Sequence, residues 1–416
     1  MRKMKNSGFR WLNQIPYDWK VLKIKDGFKR KKAKAFQEDP VVLSLARSGV
    51  KIRDITTNEG QLAASYYEYN PVDVDDMLLN PMDLQSGANC SLSKVKGVIS
   101  PAYVNLRYKK GFIPAFYDYY FKYQYWSYAF FTYGKGVSFD NRWTLNEDTL
   151  MNLPLLVPSS EEQQKIADFL DKKCGEIDSI MEDLQRQIDI LEQYKKSVIA
   201  EIVTKGLRPQ TTMKESGITW IGKIPENWRI NRIFSLYKLR NTKVNDRDYP
   251  PLSVTMKGIL PQLETAAKTN AHEDRKLVCI GDFAINSRSD RRGSCGVSKY
   301  TGSVSLINTV LQPLSNMNPG YYNWLFHTVG FADEFYKWGH GIVNDLWTTG
   351  WQDMKNIQVI VPPIDEQKEI AEYLDKRCTE IDSVIADKQH QLEVIENYKK
   401  SVIYEYVTGK KEVSDE

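Results

Sequence analysis

The chain repeats itself. Shifted by 204 positions, residues 157–204 fall on 361–408 with 27 of 48 positions identical. Val157-Pro158 returns as Val361-Pro362, Glu176-Ile177-Asp178-Ser179 as Glu380-Ile381-Asp382-Ser383, and Tyr194 to Ile199 as Tyr398 to Ile403. A second block repeats at a shift of 209. There Met4 to Trp19 matches Met213 to Trp228 at 8 of 16 positions, pairing Trp11 with Trp220 and the Ile-Pro-x-x-Trp of Ile15, Pro16 and Trp19 with that of Ile224, Pro225 and Trp228. Between these anchors only echoes remain: Leu43-Ser44 with Gly49 against Leu252-Ser253 with Gly258, and Asp76 with Asn80 against Asp282 with Asn286. A fold for this chain is therefore built twice on one frame, with the middle of each copy free to differ.

Charge follows the same division. Of 416 residues, 1–158 carry 23 Lys and Arg against 15 Asp and Glu, and 223–362 carry 17 against 12. The stretches 159–205 (7 against 11) and 363–407 (6 against 11) are acidic. Two basic blocks alternate with two acidic ones, and basic blocks suit a polyanionic partner.

The acidic blocks read as helices. Ile166, Leu170, Cys174, Ile177, Met181, Leu184, Ile188 and Leu191, then Val198 and Ile202, step by fours and threes as a heptad seam, with Lys195 as the interruption. In the second copy Ile370, Leu374, Cys378, Ile381, Ile385, Leu392, Ile395, Val402 and Tyr406 do the same, with Lys388 and Lys399 as departures. Pro158 and Ser159-Ser160 ahead of glutamates mark a start, and Gly206 and Pro209 a stop. Roughly 42 residues at about 1.5 Å each make a rod on the order of 60 Å. An exposed seam of that length needs a partner, and the other copy is the obvious one. The basic blocks mix β-branched and aromatic runs with Gly, Pro, Asn and Asp turns, and Tyr117 to Tyr133 and Tyr321 to Trp338 have helical length. The expected fold is α+β: two globular domains and two long helices forming an antiparallel coiled coil, related by an internal pseudo-twofold repeat. Its parts are a first domain at 1–158, a central helix at 159–207, a second domain at 208–362, a C-terminal helix at 363–408 and a tail at 409–416.

Other classes lack support. Apolar runs such as Leu153 to Val157 fall far short of the roughly 20 residues of a membrane span, and Met1 to Trp11 has cations but no apolar stretch of a signal segment, so a cytoplasmic protein is expected. Five scattered cysteines (Cys90, Cys174, Cys279, Cys295, Cys378) suggest reduced thiols, and four dispersed histidines no metal site. Gly409-Lys410 lacks the rest of a phosphate-binding loop, and Asn70-Pro71 and Asn80-Pro81 lack the second proline and aromatic of an amino-methyltransferase motif. Asp365 and Glu366-Gln367-Lys368, twin to Glu162-Gln163-Gln164, read as a helix cap and a solvated face rather than a nuclease triplet. No catalytic residue and no cofactor is expected on this chain.

Binding features stand out more. Lys23 to Lys34 holds seven cations against one acid; within it Lys29, Arg30, Lys31 and Lys32 are candidate phosphate contacts. Arg47, Lys51 and Arg53 follow Leu43-Ser44, and Lys257 follows Leu252-Ser253. Arg288, Arg291 and Arg292 sit in a Gly/Ser loop, and arginine reads guanine edges bidentately; Lys299 follows. Gly134-Lys135-Gly136 through Arg142-Trp143, and Gly339-His340-Gly341 through Trp347, hold matching places as recognition loops or tight turns, with Lys135, Arg142 and His340 as candidates. Tyr66, Tyr67, Tyr69 and the Tyr117 to Tyr133 aromatics read as core rather than base-stacking platforms.

This order of basic domain, heptad helix, basic domain, heptad helix resembles the DNA-specificity subunit of type I restriction–modification enzymes over essentially the whole chain. The resemblance rests on the paired Ile-Pro-x-x-Trp segments, Leu252-Ser253-Val254-Thr255 (degraded to Leu43-Ser44-Leu45-Ala46), Gly281-Asp282-Phe283, and above all Pro-x-x-x-Glu-Gln-x-x-Ile-Ala-x-x-Leu-Asp at Pro158 to Asp171 and Pro362 to Asp375. It implies two target-recognition domains, each reading half of an asymmetric bipartite DNA site, with the helices as a ruler between them. It also implies partners: double-stranded DNA, two modification subunits carrying S-adenosylmethionine and methylating adenine, and restriction subunits with ATP- and Mg-dependent translocase and nuclease activity. The alternatives are a self-contained DNA methyltransferase or nuclease with an unrecognised site, and a scaffold holding two proteins.

Overall fold

A computed structural model describes the chain except residues 1, 10, 47, 58–61, 83, 85–89, 137–142, 263–272, 315, 342–346 and 415–416. It divides into two compact units, Met1–Leu184 with His390–Glu416, and Gln185–Gln389. Both boundaries fall inside long helices, Ser160–Lys205 and Ile364–Val407. Each unit thus holds one globular head, the outgoing end of one helix and the returning end of the other. Among the described residues no helix is long and apolar enough to cross a membrane.

The head of the first unit is organised by a four-stranded antiparallel sheet, in the order Phe28–Arg30, Val104–Tyr108, Met77–Leu79, Cys90–Leu92. The second unit builds the same sheet from Tyr237–Leu239, Asn308–Pro313, Phe283–Asn286 and Cys295–Val297. Alternation along the central strands explains the layering. Phe283, Ile285 and Leu311 face a core shared with helices, while Ala284 and Val310 face a smaller cluster with Leu252, Ile259, Val278 and Val304. In the first unit Met77, Leu79 and Leu106 take the helix side, and Leu78 packs with Leu43, Leu45, Val72 and Ile99.

The aromatic stretches differ from expectation. The first is a helix only over Pro114–Trp126, followed by a short 3₁₀ turn, Phe131–Tyr133. The second breaks into Pro319–Phe326 and Val329–Lys337, because the Thr328 side chain accepts from the Phe331 N–H and starts a new helix. Phe116, Tyr117, Tyr120 and Phe121 are fully buried, whereas Tyr66, Tyr67 and Tyr69 lie nearer the surface, Tyr67 edge-on to Phe36. Burial drives the phenols of Tyr117, Tyr119 and Tyr120 far above an ordinary tyrosine and that of Tyr123 up to about 12. Their neutral form is the folded one, so this contribution to stability is intact below about pH 10 and is lost as pH rises to about 12 and beyond. An alkaline titration followed at the phenolate absorbance and by circular dichroism should show these phenols ionising only as the first unit unfolds.

Within each unit the helix segments run antiparallel. In the first, Phe169 packs tilted against Tyr406 with ring centroids 4.4 Å apart and Asp178 accepts from Lys399 at 2.6 Å; in the second, Gln187 accepts from Lys388 at 2.5 Å and Asp382 from Lys195 at 2.6 Å. The three lysines that interrupt the seam are therefore paired across it, a device that specifies register. Ile177, Leu184, Ile188, Ile381 and Ile385 are buried, and Met181, Leu191, Leu392 and Ile395 half-buried. Ile166 and Leu170, and likewise Ile370 and Leu374, are core residues of the heads, where they meet the returning helix at Val402, Ile403 and Val407, or at Val203. At these ends the seam of a coiled coil becomes the floor of a globular core.

Candidate nucleic-acid interface and the junctions that carry it

In the second unit the arginine loop is a tight turn. Asn286, the last residue of its strand, donates its backbone N–H to the Ser294 carbonyl, and the Arg291 and Ser294 N–H groups donate to Arg288 and Arg291 carbonyls. This closure points Arg288 and Arg291 outward; Arg291 is 68 % exposed and loosely pairs with Asp290 at 3.7 Å. Arg292 is held by Asp333. The turn is pinned by a bridge from Arg288 to Thr348, which also bridges His340, and by the Thr349 N–H donating to the Ser287 carbonyl. The hairpin Leu252–Thr255 with Gly258–Pro261 carries exposed Lys257 at its tip, and Gly258 lies against Gly296 of the strand that leaves the turn. Lys257, Arg288, Arg291 and His340 are thus carried on one connected set of turns; His340 faces Asp353 at 3.2 Å, and Lys299 is exposed in a separate turn.

The first unit repeats the scaffold with different contents. Its hairpin, Leu43–Ala46 with Gly49–Ile52, carries exposed Lys51, and Arg53 follows half-buried. Arg47 and Arg142 lie outside the described residues. Lys135 is exposed and bridges Thr144. At the two glycine segments Trp143 donates its indole N–H to the Phe131 carbonyl and packs over Gly134, as Trp347 donates to Tyr336 and packs over Gly339; residues 137–142 and 342–346 between them lie outside the described residues.

The basic cluster departs from a free phosphate-binding patch. Lys29 is exposed, but Arg30 pairs with Glu147, as does Lys32 at 2.9 Å, and Lys31 bonds to Asp73 at 2.8 Å and Asp76 at 2.7 Å. Burial works against the Lys31 charge, yet the two carboxylates together hold its pKa above that of a free lysine. Asp76 is 0 % exposed and also accepts from Arg107 at 2.9 Å and from the Asp73 N–H at 2.8 Å. Its counterpart Asp282, 2 % exposed, accepts from Arg240 at 2.6 Å and from the Cys279 N–H at 2.8 Å. The repeated aspartates, echoes without a role at the sequence level, are the ionic anchors of the two heads.

The Glu-Gln motif is corrected more sharply. Gln163 and Gln367, read as a solvated face, are 0 % and 1 % exposed. Gln163 donates to the Pro158 carbonyl at 3.0 Å and accepts from the Ile113 N–H at 2.8 Å, ahead of the helix Pro114–Trp126. Gln367 donates to Pro362 at 2.8 Å and accepts from the Asn318 N–H at 2.8 Å, ahead of Pro319–Phe326. The preceding glutamates receive the indole N–H groups of the Ile-Pro-x-x-Trp motifs, Trp19 to Glu162 at 2.9 Å and Trp228 to Glu366 at 3.0 Å. Motif-terminal Asp171 and Asp375 take Tyr119 at 2.7 Å and Trp324 at 2.8 Å. Each head is bolted to the start of its helix by the same three contacts. The signal was present as repeated letters; what it lacked was any mark of burial. Among the described residues no group of three or more His, Cys, Asp or Glu is placed to hold a metal ion.

No family model matches the chain. It is 26% identical over 283 residues to the MjaX specificity subunit of a type I restriction enzyme from Methanocaldococcus jannaschii, an alignment spanning 65% of this chain and 62%, less than two thirds, of that relative. It is 22% identical over 438 residues to the MjaVIII type I restriction enzyme specificity subunit of the same organism, covering 95% of this chain and 94% of the relative. Among solved structures it superposes with a TM-score of 0.70 and 12% identity on a chain from a study of complex assembly and conformational transition of the type I R–M system, covering 95% of this chain and 99% of that one. Against the HsdS subunit from Thermoanaerobacter tengcongensis the TM-score is 0.50 at 14% identity, over 98% and 100% of the two chains.

Proposed function

From a chain related in sequence and in fold to the specificity subunits of type I restriction enzymes, we propose a protein that reads an asymmetric, bipartite DNA site and docks methyltransferase and restriction subunits there, performing no bond chemistry itself. The observation that carries this reading is the pairing of sameness and difference. The Trp–Glu and Gln–Pro junction contacts recur in both heads, while the first hairpin carries Lys51 and the second Met256-Lys257 at its tip, and three arginines, Arg288, Arg291 and Arg292, belong to the turn of the second head. Identical mounts with unlike tips suit two half-sites of different sequence. One head discriminates by roughly 1–3 kcal/mol per base pair, and linking two multiplies selectivity where the spacing between half-sites fits. S-adenosylmethionine, ATP and Mg are then cofactors of the partner subunits.

The test is the methylated motif in DNA of cells expressing the whole complex. The expected result is two short specific half-sites separated by a fixed unspecific spacer. Methyl transfer or cleavage by the purified chain alone overturns the reading in favour of a self-contained enzyme. Arg288→Ala or Arg291→Ala should relax base choice at one position of one half-site, by about 1–3 kcal/mol of discrimination, and leave assembly with the methyltransferase intact. Loss of assembly would make the turn a structural element instead.

A further inference from the structure

We propose that the second unit keeps open a groove that takes an aromatic side chain, with a cation beside it, from the methyltransferase subunit; this rests on the functional reading above. One difference between the junctions of the two halves lies beside Trp11 and Trp220. In the first unit Tyr404 of the returning helix packs tilted against Tyr123, ring centroids 5.2 Å apart, and Tyr123 lies edge-on to Trp11 at 6.1 Å. Lys410 sits over the Tyr404 ring at 4.2 Å, and Lys411 pairs with Glu405 at 2.8 Å. The corner is closed by two rings and two cations.

The second unit keeps the frame and omits the filling. The shift of 204 puts Ala200 where Tyr404 stands and Glu201 where Glu405 stands. Six residues beyond the matched Tyr117 and Tyr322, whose hydroxyls both donate to strand carbonyls, Tyr123 is replaced by Thr328, where the helix breaks. Trp220, counterpart of Trp11, is retained and leans on Phe331 at 5.9 Å. What remains is a groove of about 500 Å³ lined by Ala200, Glu201, Trp220, Thr328 and Gly330 among others. Its indole wall suits a ring, and its exposed rim carboxylate, Glu201, holds Lys205, itself a lining residue, by a long 3.6 Å contact.

The occupant is read from the sister corner: an aromatic side chain against Trp220 and a lysine or arginine at Glu201. A phosphate backbone does not suit a groove walled by an indole and rimmed by the Glu201 carboxylate. A methyltransferase subunit that grips both copies of the frame meets a filled corner in one unit and an open one in the other, so its two docking sites differ in affinity.

The experiment titrates purified cognate methyltransferase onto the full-length chain by calorimetry, with native mass spectrometry for stoichiometry. Ala200→Tyr, which supplies the ring that the first unit carries, should weaken one docking step at least tenfold without lowering the thermal midpoint. Glu201→Lys, an exposed charge reversal that leaves the fold alone, should weaken the same step. Both variants binding like the parent, or Ala200→Tyr altering only self-association of this chain, overturns the proposal while the functional reading stands. A parent chain that binds no methyltransferase overturns both.

Discussion

Asp76→Ala should destabilise the first unit by about 3 kcal/mol, because it removes the one buried acceptor on which Lys31, Arg107 and the Asp73 N–H converge. A buried ion pair is weak evidence of net stabilisation, but deleting its buried carboxylate takes an acceptor from each of its donors at once. Asn105, whose amide reaches Asp76 at 3.3 Å, loses an acceptor as well. The estimate sits at the low end of the usual range since Lys31 keeps Asp73 and Arg107 keeps the Val74 carbonyl. Lys29→Ala, one strand position from the Arg30 pair and exposed, should stay within about 0.5 kcal/mol. Chemical denaturation of the three proteins checks this. The contrast also separates cations of one basic run into those available to phosphates and those engaged in folding: Lys29→Ala should weaken duplex binding with a shallower salt slope, while Asp76→Ala acts through stability.

How much of this was legible in the sequence depends on the length scale of each signal. The long helices announce themselves because a heptad step sustained from Ile166 to Leu191 leaves no alternative period. Strands of three or four residues, such as Met77–Leu79 and Cys90–Leu92, carry too few alternations to be read, so the matching sheets of the two heads were hidden where identity thins. Their frame needs only alternate apolar faces, which Phe283-Ala284-Ile285 and Met77-Leu78-Leu79 satisfy with different letters. For the candidate interface, the arginine turn was visible as composition. The sorting of Lys29 to Lys32 was not, because it depends on carboxylates 42 to 117 residues away, at Asp73, Asp76 and Glu147. Glu366 and Gln367 were misassigned for a related reason: polar letters at a helix start fit a solvated cap equally well, and only the head packed over them makes them interior.

That interior position sets the largest expected effect. Trp228 is 0 % exposed, lies perpendicular to Tyr321 with ring centroids 6.4 Å apart, and donates to Glu366. The end of the other helix closes over it at Gly206, whose φ of +78° turns the chain away and where an added Cβ would come within 3.3 Å of the indole. Trp228→Ala removes the largest side chain from this corner, costing about 3–5 kcal/mol for an unfilled cavity, and leaves the Glu366 carboxylate without its N–H donor. A unit of this size should lose on the order of 10 °C in midpoint. Trp228→Phe keeps most of the volume and removes the donor, so it should cost about 1–2 kcal/mol. If the two variants proved equal, the indole hydrogen bond would be the working part and the packing incidental. The graded loss expected here means that the head is held to its helices chiefly by shape, with the glutamate choosing how the ring is seated. Limited proteolysis reads the same outcome independently: in Trp228→Ala, cleavage at the Lys205–Arg208 connection should precede global unfolding, because the ring that covers it is gone.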